Sequence, residues 1–206
     1  MSEEHESGDE VLELSADQVA ELATLDEAIA KFEQQKRWSD MIRSILKKAD
    51  VVVDRGVKAD LLRQAGMLYL ERSSNQAEAI NCFERLLEID ETDTDAIGRL
   101  KQMYEKRRDW EKLIRTMQRE VELLPEDDQL IRYAEMADLA TQRLRKPEVC
   151  IELWQKVLAG DPLNPNALSN LAQLYERARQ WEPLAAVLET LIESDTDVVQ
   201  MKQQLQ

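Results

Sequence analysis

Tyr104-Glu105-Lys106-Arg107-Arg108-Asp109-Trp110 is one of three copies of a single pattern in this chain. An aromatic residue is followed six places later by tryptophan at Phe32 and Trp38, at Tyr104 and Trp110, and at Tyr175 and Trp181. Trp38, Trp110 and Trp181 therefore stand 72 and 71 residues apart. Self-similarity at a fixed spacing marks a repeat architecture, in which one unit cannot bury its own apolar face and stacks on the next. The pattern points to a helical array that holds partners, and no stretch of the sequence carries a comparable signal for catalysis.

Composition agrees. Only five glycines and five prolines interrupt 206 residues, and 33% of the chain is charged, so helix is the expected state throughout. The formal charge of −15, from 42 acidic and 27 basic residues, repels nucleic acid and anionic membranes and argues against general nucleic-acid binding. Cys82 and Cys150 form no disulfide framework and suit no zinc spacing. No apolar segment reaches the length of a membrane span, and the first fourteen residues are acidic where a signal peptide is basic. A reducing cytoplasm is the expected location. The single histidine, His5, leaves no histidine triad, and there is no glycine-rich phosphate loop. No catalytic residue, cofactor or metal is expected, and the chain reads as a non-enzyme.

In chain order, residues 1–14 carry six acidic side chains and no Lys or Arg, the composition of an acidic disordered tail. Ser15 with Gln18 has capping-box order and opens a first helix over about 16–36, with Val19, Leu22, Leu25, Ile29 and Phe32 at helical spacing. A helical-repeat domain then fills residues 15–206, with repeats at 16–54, 57–89, 94–124, 128–160 and 165–194 and a partial or capping helix at 197–206. Gly56 is expected at a turn, Ser73 or Ser74 as a cap, Pro125 as a stop, Pro147 in a first helical turn, Gly160 as a C-terminal cap and Asn164-Pro165 as a helix start. Ten helices in five antiparallel pairs result. Trp38, Trp110 and Trp181 each open a second helix, where the indole is expected to fill space against the preceding helix. Truncating Trp110 would then cost about 3–5 kcal/mol.

Several units resemble the tetratricopeptide repeat. Leu168-x-x-Leu171-Ala172-x-x-Tyr175 and Ile97-x-x-Leu100-Lys101-x-x-Tyr104 follow its first-helix pattern, Pro125 closes the third unit, and Gly66 precedes Ala79-x-x-x-Phe83 in the second. In the fourth, Cys150-x-x-x-Trp154 is followed by Pro162. The resemblance covers nearly the whole chain outside the tail. Departures are Lys101 in place of a small residue, Leu113 and Leu184 where the family prefers alanine, and one extra residue between the helices of the second and fourth units. The implied fold is all-α, a right-handed superhelical solenoid of about five helix-turn-helix repeats.

The resemblance implies a concave face lined by the first helix of each unit. By position that face takes Arg63, Met67 and Leu70, then Gly98, Arg99, Gln102 and Lys106, then Ser169, Asn170, Gln173 and Arg177. Between Arg99 and Arg119 lie eight basic residues against Glu105, Asp109 and Glu111, directly after the acidic run from Glu88 to Asp95. This contrast reads either as internal charge pairing or as a patch for an acidic partner. The expected function is a scaffold that binds a protein or peptide on the concave face. The alternatives are a recruiting arm of a larger enzyme or machine and an RNA-processing scaffold.

Overall fold

The computed structural model describes residues 15–204, in which every regular element is an α-helix. The expected acidic tail, 1–14, lies outside the described residues. The ten helices are α1 (Ala16–Gln34), α2 (Trp38–Val51), α3 (Arg55–Glu71), α4 (Gln76–Ile89), α5 (Thr94–Arg107), α6 (Trp110–Glu122), α7 (Glu126–Arg143), α8 (Pro147–Gly160), α9 (Pro165–Ala178) and α10 (Trp181–Gln204). Short turns join successive helices, as the all-α repeat reading expects. The chain divides into two compact units, Met1–Leu100 and Lys101–Gln206, the division falling inside α5.

In the first unit each helix packs on its sequence neighbour, α1 on α2, α2 on α3 and α3 on α4. Ser15 makes the expected capping box with Gln18. Its helix contributes no buried residue, and Val19 is exposed. The core comes instead from Ile42, Ile45 and Ala49 of α2, Leu62 and Ala65 of α3, and Phe83 and Leu86 of α4. Gly66 has a packing reason: a Cβ there would lie 2.9 Å from Phe83 Cζ. Its bare backbone lets the ring sit against α3.

In the second unit α6 packs on α7, α7 on α8, α8 on α9 and α9 on α10. Trp154 is buried, and its Nε1 donates to Thr141 Oγ1 at 2.9 Å, which itself donates to the Ala137 carbonyl at 2.8 Å. The indole thus places its area in the core with its one polar atom satisfied. Lys101, where a small residue was expected, turns outward to pair with Glu120 at 2.5 Å.

The recurring aromatic-to-tryptophan pattern encodes a turn. The amide of Arg37 donates to the Phe32 carbonyl, that of Asp109 to Tyr104 and that of Gln180 to Tyr175, each at 2.9 Å. The residues just before them, Lys36, Arg108 and Arg179, have φ of 56°, 57° and 56°. This is the Schellman geometry, with a left-handed residue closing the helix and the aromatic carbonyl accepting from the next amide. Three copies of one backbone turn therefore fix the spacing between aromatic and tryptophan.

The tryptophans themselves are placed differently from expectation. Trp38 and Trp110 are half-buried, and Trp181 is 62% exposed. Each stands at the first position of its helix, beside the turn and away from the middle of the packed face. Their cover comes from the following helix: the Arg72 guanidinium lies 4.7 Å from the Trp38 ring and that of Arg143 lies 5.4 Å from Trp110.

Other boundaries also differ. No glycine among the described residues has positive φ, and Gly160 is the last residue of α8 with Asp161 as the cap. Gly56 lies inside α3, whose cap is Asp54, accepting from the Val57 amide. Asn75 caps α4 in place of the serines, with Ser74 at φ 49° in the turn. Helix α10 runs to Gln204 without a break before 197, because Glu193 through Asp197 contains neither glycine nor proline to end it.

Candidate functional site

In the first unit, α3 and the start of α5 carry Arg63, Met67, Leu70, Gly98 and Arg99. Met67 and Leu70 are half-buried and nothing lies within 4 Å of a Cβ built on Gly98. Arg63 is committed elsewhere. Its Nη2 donates to Asp93 Oδ2 at 2.6 Å and its Nη1 to Asp60. Asp93 Oδ1 accepts from the Ala96 amide at 2.8 Å, so this carboxylate caps α5 while it holds α3. Burial would raise the Asp93 pKa, but the amide bond and Arg63 outweigh it and hold the group below the usual carboxylate range. Arg99 pairs with Asp95 at 2.8 Å and lies 6.0 Å from the Phe83 ring.

In the second unit, Gln102, Lys106, Ser169, Gln173 and Arg177 are exposed, while the Asn170 amide is turned back to donate to the Asn166 carbonyl at 2.8 Å. Part of the basic run is internally compensated. Lys101 meets Glu120, Arg115 approaches Glu111 at 3.8 Å and Lys112 lies 5.5 Å from the Tyr104 ring. Lys106, Arg107 and Arg108 are exposed and hold no ion pair among the described residues.

The same unit contains a cleft of about 360 Å³ between the α7–α8 turn and the end of α9. Leu144, Cys150 and Leu174 give it apolar lining, and the exposed Arg145, Lys146 and Arg177 line it with positive charge. Lys146 also reaches Glu111 at 2.7 Å and holds that carboxyl below its usual range. Arg145 and Arg177 have no carboxylate partner among the described residues, so their charge is available in an otherwise acidic chain. Arg177 is thus the expected first-helix residue that the structure brings into a cavity. Arg145 and Lys146 went unrecognised in the sequence, although three basic residues within Arg143-Leu144-Arg145-Lys146, beside Pro147, mark an exposed turn.

Neither cysteine thiol is activated. Burial raises the Cys150 thiol above its ordinary value, and it pushes Cys82 up to about 11, so both are protonated at neutral pH. Among the described residues no three metal-ligating side chains come together, and no helix is long and apolar enough to cross a membrane.

The tetratricopeptide-repeat family model matches residues 96–131 and 167–198. No curated protein is significantly similar in sequence. Among solved structures the chain is similar to the crystal structure of a MamA protein, at 14% identity over 88% of this chain and 96% of that one, with a TM-score of 0.41. A second is MamA residues 41 to the end from Desulfovibrio magneticus RS-1, at 16% identity over 86% of this chain and 96% of that one, with a TM-score of 0.38. The chain is an all-α helical-repeat protein, and the segments 96–131 and 167–198 are the ones that match the tetratricopeptide repeat.

Proposed function

We propose that this chain is a non-catalytic interaction scaffold that binds an acidic protein or peptide segment on the first-helix face of its repeats. The observation that carries the reading is the cleft beside Arg177. It joins apolar lining to two guanidiniums that have no carboxylate partner among the described residues, in a chain of net charge −15. That combination suits a short segment with a carboxylate flanking an apolar side chain, since arginine forks recognise carboxylates bidentately. In the first unit the same face offers Met67, Leu70 and the partly exposed Arg99, while Arg63 serves the structure. The resemblance implies a concave face here, and it disfavours a clamp for a terminal carboxylate because the lysine-and-asparagine set for it is not assembled.

The test is an affinity pull-down with the full chain, followed by binding of the recovered partner to charge-reversed variants. Arg145→Glu with Arg177→Glu is expected to weaken binding at least about tenfold, as for loss of a charge-assisted contact of about 1.5–3 kcal/mol. Reversal of Arg99 and Lys106 tests the remainder of the face. A partner that binds all reversed proteins unchanged contradicts the proposal.

A further inference from the structure

We propose that the anion held best by the cleft of the second unit is a phosphate monoester, so that the partner's segment is recruited when a serine or threonine beside an apolar side chain is phosphorylated. This rests on the reading of the cleft as the partner site and narrows the acidic group it takes. Arg145 comes from the turn before α8 and Arg177 from the last turn of α9, so two separate elements bring guanidiniums to one cavity of about 360 Å³. Neither has a carboxylate partner among the described residues, and no Asp or Glu among them lines the cleft. Lys146 adds a third positive group, which Glu111 already neutralises at 2.7 Å. Two positive charges are left uncompensated.

A carboxylate carries one negative charge and two coplanar oxygens, which a single guanidinium fork satisfies. It leaves the second guanidinium without a charge to meet. A phosphate monoester carries about −1.5 to −2 at neutral pH and three strong acceptor oxygens, so it accepts from two forks that approach from different sides. The start of α8 adds to the preference. Lys146 is the N-cap residue and makes no side-chain hydrogen bond to the helix, and Pro147 and Cys150 of the first turn line the cleft. Helix α8 thus begins at the cleft wall, and its N-terminal dipole favours an anion there. The one carboxylate of that turn, Glu148, does not line the cleft. Leu144, Cys150 and Leu174 supply the apolar contact for the neighbouring side chain. Recognition of phosphorylated segments by arginine clusters uses this combination.

The probes are phenyl phosphate and benzoate, the same ring bearing a phosphate or a carboxylate, titrated into the full isotope-labelled chain at neutral pH and followed by amide chemical shifts. Phenyl phosphate is expected to saturate, with shifts centred on Cys150, Leu174 and Ala178, and to bind at least about fivefold more tightly than benzoate. Arg177→Glu is expected to weaken it at least about tenfold. Arg43→Glu, an equal change of charge in the first unit, leaves it unaltered. Circular dichroism checks the fold of each variant, and both arginines are exposed. The recovered protein partner supplies the second arm: phosphatase treatment is expected to weaken its binding at least about tenfold. No saturable shift with phenyl phosphate, or benzoate binding as tightly, overturns the phosphate assignment. So does a partner that is indifferent to phosphatase yet lost with Arg145→Glu/Arg177→Glu, an outcome that leaves the acidic-partner reading standing. A partner indifferent to both treatments overturns both.

Discussion

Arg63 and Asp93, thirty residues apart in sequence, meet at 2.6 Å, and the same carboxylate caps α5 through the Ala96 amide. One side chain thus ties α3 to the start of the next repeat. Asp93→Ala is expected to cost about 2–3 kcal/mol, combining a lost cap with an unpaired guanidinium. Asp93→Asn keeps the cap and costs less. Because the folded carboxyl is held below its ordinary value, its contribution is complete above about pH 4 and is lost as the pH falls through the lowered pKa. Urea unfolding between pH 2 and 7 checks this: Asp93→Asn removes that part of the acid sensitivity.

Two glycines, Gly66 in α3 and Gly98 in α5, predict opposite signs. At Gly66 a methyl group meets the Phe83 ring at 2.9 Å, so Gly66→Ala is expected to destabilise by about 1–3 kcal/mol despite better helix propensity. Gly98 has open space around it, and Gly98→Ala is expected to stabilise by about 1 kcal/mol. Thermal unfolding of the two variants reads both signs. If a ligand backbone approaches Gly98, the second variant gains stability and loses affinity.

The left-handed turns offer a third check. Lys36, Arg108 and Arg179 occupy a conformation that glycine adopts at no steric cost. Arg108→Gly is expected to raise stability by roughly 0.5–1 kcal/mol, the strain relieved exceeding the added freedom of the unfolded chain. Denaturant midpoints compared with Arg108→Ala, which keeps the strain, isolate the backbone effect.

Tryptophan burial orders a fourth pair. Trp154→Ala should cost about 3–5 kcal/mol, because the indole is buried and hydrogen-bonded to Thr141. The half-buried Trp110 should cost only about 1–2 kcal/mol, which includes loss of the Arg143 contact. Equal losses would contradict the placement of the turn tryptophans.

The sequence displayed the array through local rules. Ser15 with Gln18, Asn164 with Pro165 and Pro147 before Val149 are capping signals confined to a few residues, and the structure uses each of them. The apolar stripe Trp110, Ile114, Met117 and Val121 likewise shows in spacing alone. What stayed hidden depends on residues far apart. Nothing near Arg63 announces that Asp93 will claim it. Arg145 and Lys146 join Arg177 only because α9 folds back beside the preceding turn. The indole's size suggested a core position, whereas its place at the first residue of the helix sets its exposure. A left-handed Lys36 or Arg108 leaves no compositional mark, since neither side chain favours that conformation.

Arg145 and Arg177 beside the apolar cleft are the proposed contacts for an acidic partner. The decisive measurement is the dissociation constant of the recovered partner for the wild-type chain and for Arg145→Glu/Arg177→Glu, at low and at high salt. Binding by the variant is expected to be at least about tenfold weaker at low salt, with the gap narrowing as salt screens the charges. Equal affinities at low salt, with both proteins folded, would contradict it.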